Sequence, residues 1–186
     1  MRILGLDIAT VTGVAFYDTT EHVSKITAWS FRLKGDTDEQ KASDMGVQTV
    51  GLIRKYKPDF IAIESPLKNI VTHKRTKQTL VGEVEDAAMN PASIILPNQL
   101  TGAVMAIIGA YRIPWHTVPS STWRKCFLGF ARKPGWSRKD WKRAVREQCD
   151  MLGIHVTNDD SADAVGTAFS APSTQTYKLM MSRGEM

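Results

Sequence analysis

The sequence predicts an α/β protein built on one mixed five-stranded sheet: three antiparallel strands, then parallel crossovers, with helices on both faces. Three observations predict it. Short β-branched and apolar runs follow one another at the N-terminus, and the later apolar runs alternate with helical periodicity. The 186 residues are 42% hydrophobic, ordinary for one domain with a full-sized core.

Residues 2–7 (RILGLD) make a buried strand ended by a turn-like segment. Residues 13–17 (GVAFY) and 23–33 make two further strands, with Asp18-Thr-Thr as a turn, and the three form a meander. After a polar loop at Gly35-Asp-Thr-Asp, Met45, Leu52, Ile53 and Tyr56 mark an amphipathic helix over 42–56, and Pro58 ends it. Residues 59–64 (DFIAIE) are a short apolar strand closing on a carboxylate. Residues 65–97 start polar, turn acidic and carry Pro91 and Pro97, which reads as a mobile or partly helical insertion.

Asn98 caps a largely apolar helix reaching Tyr111. Residues 115–118 are strand, Ser121 caps a brief helix, and Lys133-Pro-Gly-Trp turns. Ser137 and Asp140 have capping-box spacing at the head of a basic helix ending at Leu152. Its Trp141, Val145, Cys149 and Leu152 share one face. The last helix starts near Asp160 and runs to about Ala171, where Pro172 stops it. The domain is therefore expected to span 1–172, with 173–186 a flexible tail.

Composition narrows the function. No apolar run approaches the roughly 18 residues that span a bilayer, so no membrane partner is expected. Asp7 interrupts the first apolar stretch, unlike a signal peptide, which points to an intracellular, cytoplasmic protein. Cys126 and Cys149 have no CxxC partner and read as buried, inert thiols. The net charge is +5, but its distribution matters more: residues 111–150 hold ten Lys/Arg against three Asp/Glu. Residues 65–80 add Lys68, Lys74, Arg75 and Lys77 with no acid. Basic surroundings around a few separate acids suit an enzyme acting on a polyanion.

Those acids are Asp7, Glu64, Asp160 and Asp163. In DDSADAVGTAF, Asp160 and Asp163 share one face at a helix start, next to Asp159. Either these acids cap the helix and complement its dipole, or they hold a metal. Asp7 and Glu64 each close an apolar strand, where an unpaired buried charge is costly. Four carboxylates converging with no His or Cys suit hard cations, Mg²⁺ or Mn²⁺. Two such ions, about 4 Å apart, clamp the attacking and leaving oxygens of a phosphodiester. His22, His73, His116 and His155 show no ligand spacing.

GLDIATVTG around Asp7, AIES around Glu64 and DDSADAVGTA around Asp160 and Asp163 resemble the motifs of RuvC-like Holliday junction resolvases, in the RNase H-like nuclease superfamily. The resemblance implies an RNase H-like fold and a structure-selective endonuclease that uses two Mg²⁺ or Mn²⁺ ions. It implies that Asp7 bridges both metals, that Glu64 binds one, and that Asp160 with Asp163 binds the other. It also implies a basic residue near the scissile phosphate, Lys139, helped by Arg124 or Lys125. Ile8-Ala9 replaces the family's usual Pro-Gly, and 65–110 contains no aromatic residue where bacterial members insert one. Both departures suit a divergent, phage-type member that cuts several branched DNAs.

Contacts to DNA are expected from Lys68, Lys74, Arg75, Lys77, Arg124, Lys125, Arg132, Lys133, Trp136, Arg138, Lys142 and Arg143. Trp115 and Trp141 are expected in the core. Paired nicks on opposite strands call for two facing sites, hence a C2 homodimer, with the apolar segment 100–110 supplying contact. Competing readings keep the fold and change the task, to packaging or RNA processing, or to junction binding without catalysis. An actin-like ATPase needs a second lobe for which the chain is too short.

Overall fold

A computed structural model describes residues 1–66, 73–79, 82–88 and 92–184, with side chains described outside 73–93. The five-stranded sheet has the order β3-β2-β1-β4-β7, from β1 (Arg2–Asp7), β2 (Val11–Asp18), β3 (Thr27–Arg32), β4 (Phe60–Glu64) and β7 (Trp115–Val118). The first three strands pair antiparallel, and β1–β4 and β4–β7 pair parallel. The mixed sheet expected from the sequence is therefore present.

Strand periodicity fixes which face each side chain takes. In β1, Leu4 and Leu6 pack on one face with Val14, Ile61 and Ile63, under α1 (Asp38–Tyr56) and α2 (Ala92–Ala110). Ile3, Ala15, Phe60 and Ala62 face the opposite layer of α3 (Ser120–Leu128), α4 (Arg138–Met151), α5 (Asp159–Ser170) and α6 (Gln175–Arg183). Asp7 and Glu64 continue the second series, four residues beyond Ile3 and Phe60, so both emerge on the α5 face at the same end of the sheet.

Helix α5 lies unusually close to that face. A β-carbon added to Gly13 falls 1.9 Å from the Asp160 carbonyl oxygen, and one added to Gly5 falls 2.6 Å from that of Ala164. Only a residue without a side chain permits this approach. The N-cap is Asn158, which accepts from the Ser161 N–H at 2.9 Å; the Ser161 hydroxyl returns toward the Asn158 backbone N–H at 3.2 Å. Capping is thus done by Asn158, and the helix-cap reading does not account for Asp160 or Asp163.

Several expectations are corrected. The 65–97 insertion is partly helical, as expected, since α2 begins at Ala92, but it also holds a paired antiparallel β5 (His73–Thr79) and β6 (Gly82–Ala88) that were not expected. The backbone register sets Arg75 opposite Asp86 and Gln78 opposite Glu83. Helix α2 starts at Ala92, with Pro97 inside it at the expense of a backbone hydrogen bond. Asn98 does not cap; its side-chain amide donates to the Ile94 carbonyl at 2.7 Å. The cap position of α3 is Pro119 and not Ser121. Cys126 is exposed and not buried, whereas Cys149 is buried and its thiol is pushed up to about 12 by desolvation. The segment expected to fray forms α6, because Tyr177 and Met180, three apart, bury against the core. Tyr177 meets Phe60 edge-on at 5.4 Å, and His116 on β7 shares a 2.9 Å hydrogen bond with Thr176.

Candidate active site

Oxygen atoms of Asp7 from β1, Glu64 from β4 and Asp163 from α5 lie within 4.8 Å of one another. They line a cavity of about 350 Å³ together with Ala9 and Asp160. Asp160 stands beside the close triad and outside it. Parallel pairing of β1 with β4 brings the first two acids together. The glycine-tight seat of α5 brings the third, one helical turn in from its N-terminus. All four sequence-predicted acids therefore reach one pocket.

The cluster is electrostatically unsatisfied. Burial pushes the Asp7 carboxyl well above the ordinary range, and the charges of Glu64, Asp163 and Asp160 push it further. Each acid keeps an edge open to the cavity, but the protein packed behind it sets its affinity for a proton. Asp163 is raised to about 7, first by desolvation and then by Glu64, against the opposing pull of Arg124 and Lys142. Glu64 is also raised by burial, the Ser120 hydroxyl that donates to it being the first of the groups that restrain the rise. Trp123 stands near enough to favour ionised Glu64, although its indole N–H is buried without a hydrogen bond of good geometry. Oxygen-only donors, crowded and short of counter-charge, fit a hard divalent cation.

Cations ring the acids at a slight remove. Arg124, Arg138 and Lys142 line the cavity with Trp141. Lys142 Nζ donates to Asp159 Oδ2 at 2.9 Å, which holds it on the cavity wall. The Arg124 guanidinium lies over the rings of Trp123 and Trp141, at 5.2 and 5.1 Å.

The other predicted residues separate. Lys139 is not in the acidic cavity; it lines a neighbouring groove with Arg143, and Lys142, one turn further along α4, takes the inward place. Arg132 and Lys133 line a third groove with Arg124, while Lys125 is exposed and lines none of the three. Trp136 is half-buried, packed 4.9 Å from Trp141 and 5.5 Å from Phe130, so it is less available for stacking than its turn suggested. Trp115 is 36% exposed on edge strand β7 and does not join the core, whose large indole is Trp123. Trp141 is half-buried on the cavity wall. Lys68 lies outside the described residues, and so do the side chains of Lys74, Arg75 and Lys77. Sequence reasoning missed Ser120 and Trp123. The Pro-Ser that follows β7 was the available signal, since β7 runs parallel to the strand bearing Glu64.

No protein-family model matches the chain, and no curated protein is detectably similar in sequence. Solved structures are. Thermus thermophilus RuvC matches with a TM-score of 0.60 at 13% identity, over 99% of this chain and 97% of that one. The same organism's RuvC in complex with a Holliday junction substrate matches with a TM-score of 0.67 at 13% identity, over 97% and 96%. The yeast mitochondrial Holliday junction resolvase Ydc2 matches with a TM-score of 0.54 at 17% identity, over 98% and 84%. At such identities the likeness is one of fold, and it spans the chain from end to end. The carboxylates therefore stand on a fold of known type: this chain has the RNase H-like fold in its RuvC-like form.

Proposed function

We propose that this chain is a metal-dependent endonuclease that hydrolyses phosphodiesters in branched DNA, with four-way junctions as its main substrate. One observation carries the reading: three carboxylates from β1, β4 and α5 crowd within 4.8 Å at the floor of a cation-ringed cavity. The fold supports it, since one solved chain that matches almost end to end is in complex with a Holliday junction substrate.

In this reading Asp7, Glu64 and Asp163 hold Mg²⁺ or Mn²⁺, and Asp160 completes the donors for a second ion. Bound divalent ions supply charge neutralisation, activation of water and in-line alignment of the phosphate. The chain's own groups do the rest. Lys142, fixed by Asp159, and Arg124, set over two indole rings, bind the non-bridging oxygens of the scissile phosphate. Arg138 adds charge at the cavity mouth. Ser120 orients Glu64 by donating to one carboxylate oxygen, which leaves the other free as a ligand. Symmetric cutting of two strands makes a C2 homodimer part of the proposal.

The test is cleavage of a synthetic four-way junction with Mg²⁺, against linear duplex and an RNA–DNA hybrid. Paired nicks at the junction, absent with EDTA and lost in Asp7→Asn, are expected. Equal cutting by Asp7→Asn, or faster cutting of linear duplex than of the junction, would overturn it.

A further inference from the structure

Two grooves open from the acidic cavity, and they differ in charge. The first shares Lys142 and runs along α4 with Lys139, Arg143 and Arg146, but Glu147, Asp150 and Asp159 line it as well. Three of its four cations are already engaged: Lys142 donates to Asp159 at 2.9 Å, Arg146 stands 3.7 Å from Asp159, and Arg143 stands 3.0 Å from Asp140 and 3.8 Å from Glu147.

The second groove, about 360 Å³, shares Arg124 and Trp141 with the acidic cavity. Arg132 and Lys133 complete its charge, and no carboxylate lines it among the described residues. Its cations rest on rings: Lys133 Nζ is 4.4 Å from the Trp136 centroid, and the Arg124 guanidinium lies over the Trp123 and Trp141 rings. Ring contacts position a cation without cancelling its charge. Arg124 Nε is also buried with no hydrogen-bond partner, a donor left over in the folded protein.

Resting on the nuclease reading, we infer that this second groove carries the backbone of the DNA strand being cut. Arg124 takes the phosphate nearest the carboxylates, and Arg132 with Lys133 takes the next. The α4 groove, whose three acids offset most of the charge of its four cations, is not the track for that strand.

Junction binding in EDTA, followed by fluorescence anisotropy from 50 to 200 mM salt, separates the grooves. Arg132→Gln with Lys133→Gln is expected to weaken binding about tenfold at 100 mM salt and to lower the log–log salt slope by about 2. Lys139→Gln with Arg143→Gln is expected to stay within about threefold, with a slope change under about 1. A loss from the α4 pair as large as from the groove pair, or no loss from the groove pair, overturns the inference. Arg132 is exposed, so Arg132→Gln alone reads the same effect if the ring contacts of Lys133 prove necessary for folding; a slope drop of about 1 is then expected and none overturns. Because no metal is present, this outcome is independent of cleavage. A wild type that binds through this groove but never cuts removes the nuclease reading and leaves the groove assignment standing.

Discussion

Acids stand at both ends of the central sheet, and the two ends treat them oppositely. At the end where β1 begins, Asp59 accepts from Arg2 Nη2 at 2.6 Å and from the Arg2 backbone N–H at 2.8 Å. Asp18 accepts there from the chain's N-terminal amine at 3.2 Å and from Thr20. Both carboxyls are held below the usual range, Asp59 by Arg2 and Asp18 by the Thr20 backbone and hydroxyl. At the end where β1 closes, Asp7, Glu64 and Asp163 face one another and are pushed up. One end uses strand-end acids as staples. The other collects them at a cost in stability, the pattern of a site that awaits a ligand.

The largest way to break the comparison is kinetic. Glu64→Gln is expected to slow Mg²⁺-dependent junction cleavage by at least about 10³-fold, roughly 4 kcal/mol. Asp59→Asn is expected to leave it within twofold under single-turnover conditions. Equal losses from both would erase the distinction between the two ends.

A thermal comparison sharpens it. In metal-free protein, Asp163→Asn removes a charge that folding disfavours and is expected to raise Tm by roughly 5 °C, about 1–2 kcal/mol. Asp59→Ala works the other way. The ion pair is more than a third exposed and screened, so its loss is expected to cost only about 1 kcal/mol, or about 3 °C. Melting curves in EDTA decide both signs.

The pH dependence follows from the same opposition. Asp163 titrates near 3.8 when unfolded and near 7 when folded, so the folded state holds its proton more tightly. Its penalty is absent below about pH 4, grows as pH rises through the window to 7, and is complete above it. Metal-free wild type is therefore expected to lose stability between pH 4 and 7, and Asp163→Asn is expected to flatten that slope. The smallest effect belongs to Ser120→Ala, which removes one hydrogen bond to Glu64 and is expected to slow cleavage a few-fold, about 1 kcal/mol.

The parts of this molecule that were legible in the sequence are those that local pattern determines. RILGLD and FIAIE each carry an apolar run into a terminal acid, and D-x-x-D at a helix head places two acids on one face, so the carboxylate pocket was readable before any coordinates. What escaped depends on phase or on distant partners. Lys139 and Lys142 are one turn apart, and only the docking of α4 against α5 selects Lys142 as the inward one. Pro97 reads as a boundary, yet a neighbouring helix face stabilises α2 through it. The segments that form β5 and β6 have too little apolar content to announce strands. The contacts of Arg124 with the Trp123 and Trp141 rings join residues of two helices and have no signature along the chain.

The contact between Gly13 and the backbone of Asp160 has a consequence for biosynthesis. The strand bearing Asp7 is synthesised before α5, and every strand of the five-stranded sheet precedes Asp163 along the chain. A nascent chain therefore folds past most of its sheet before the third carboxylate arrives. The carboxylate pocket is completed only when α5, which follows all five strands of that sheet along the chain, docks on it.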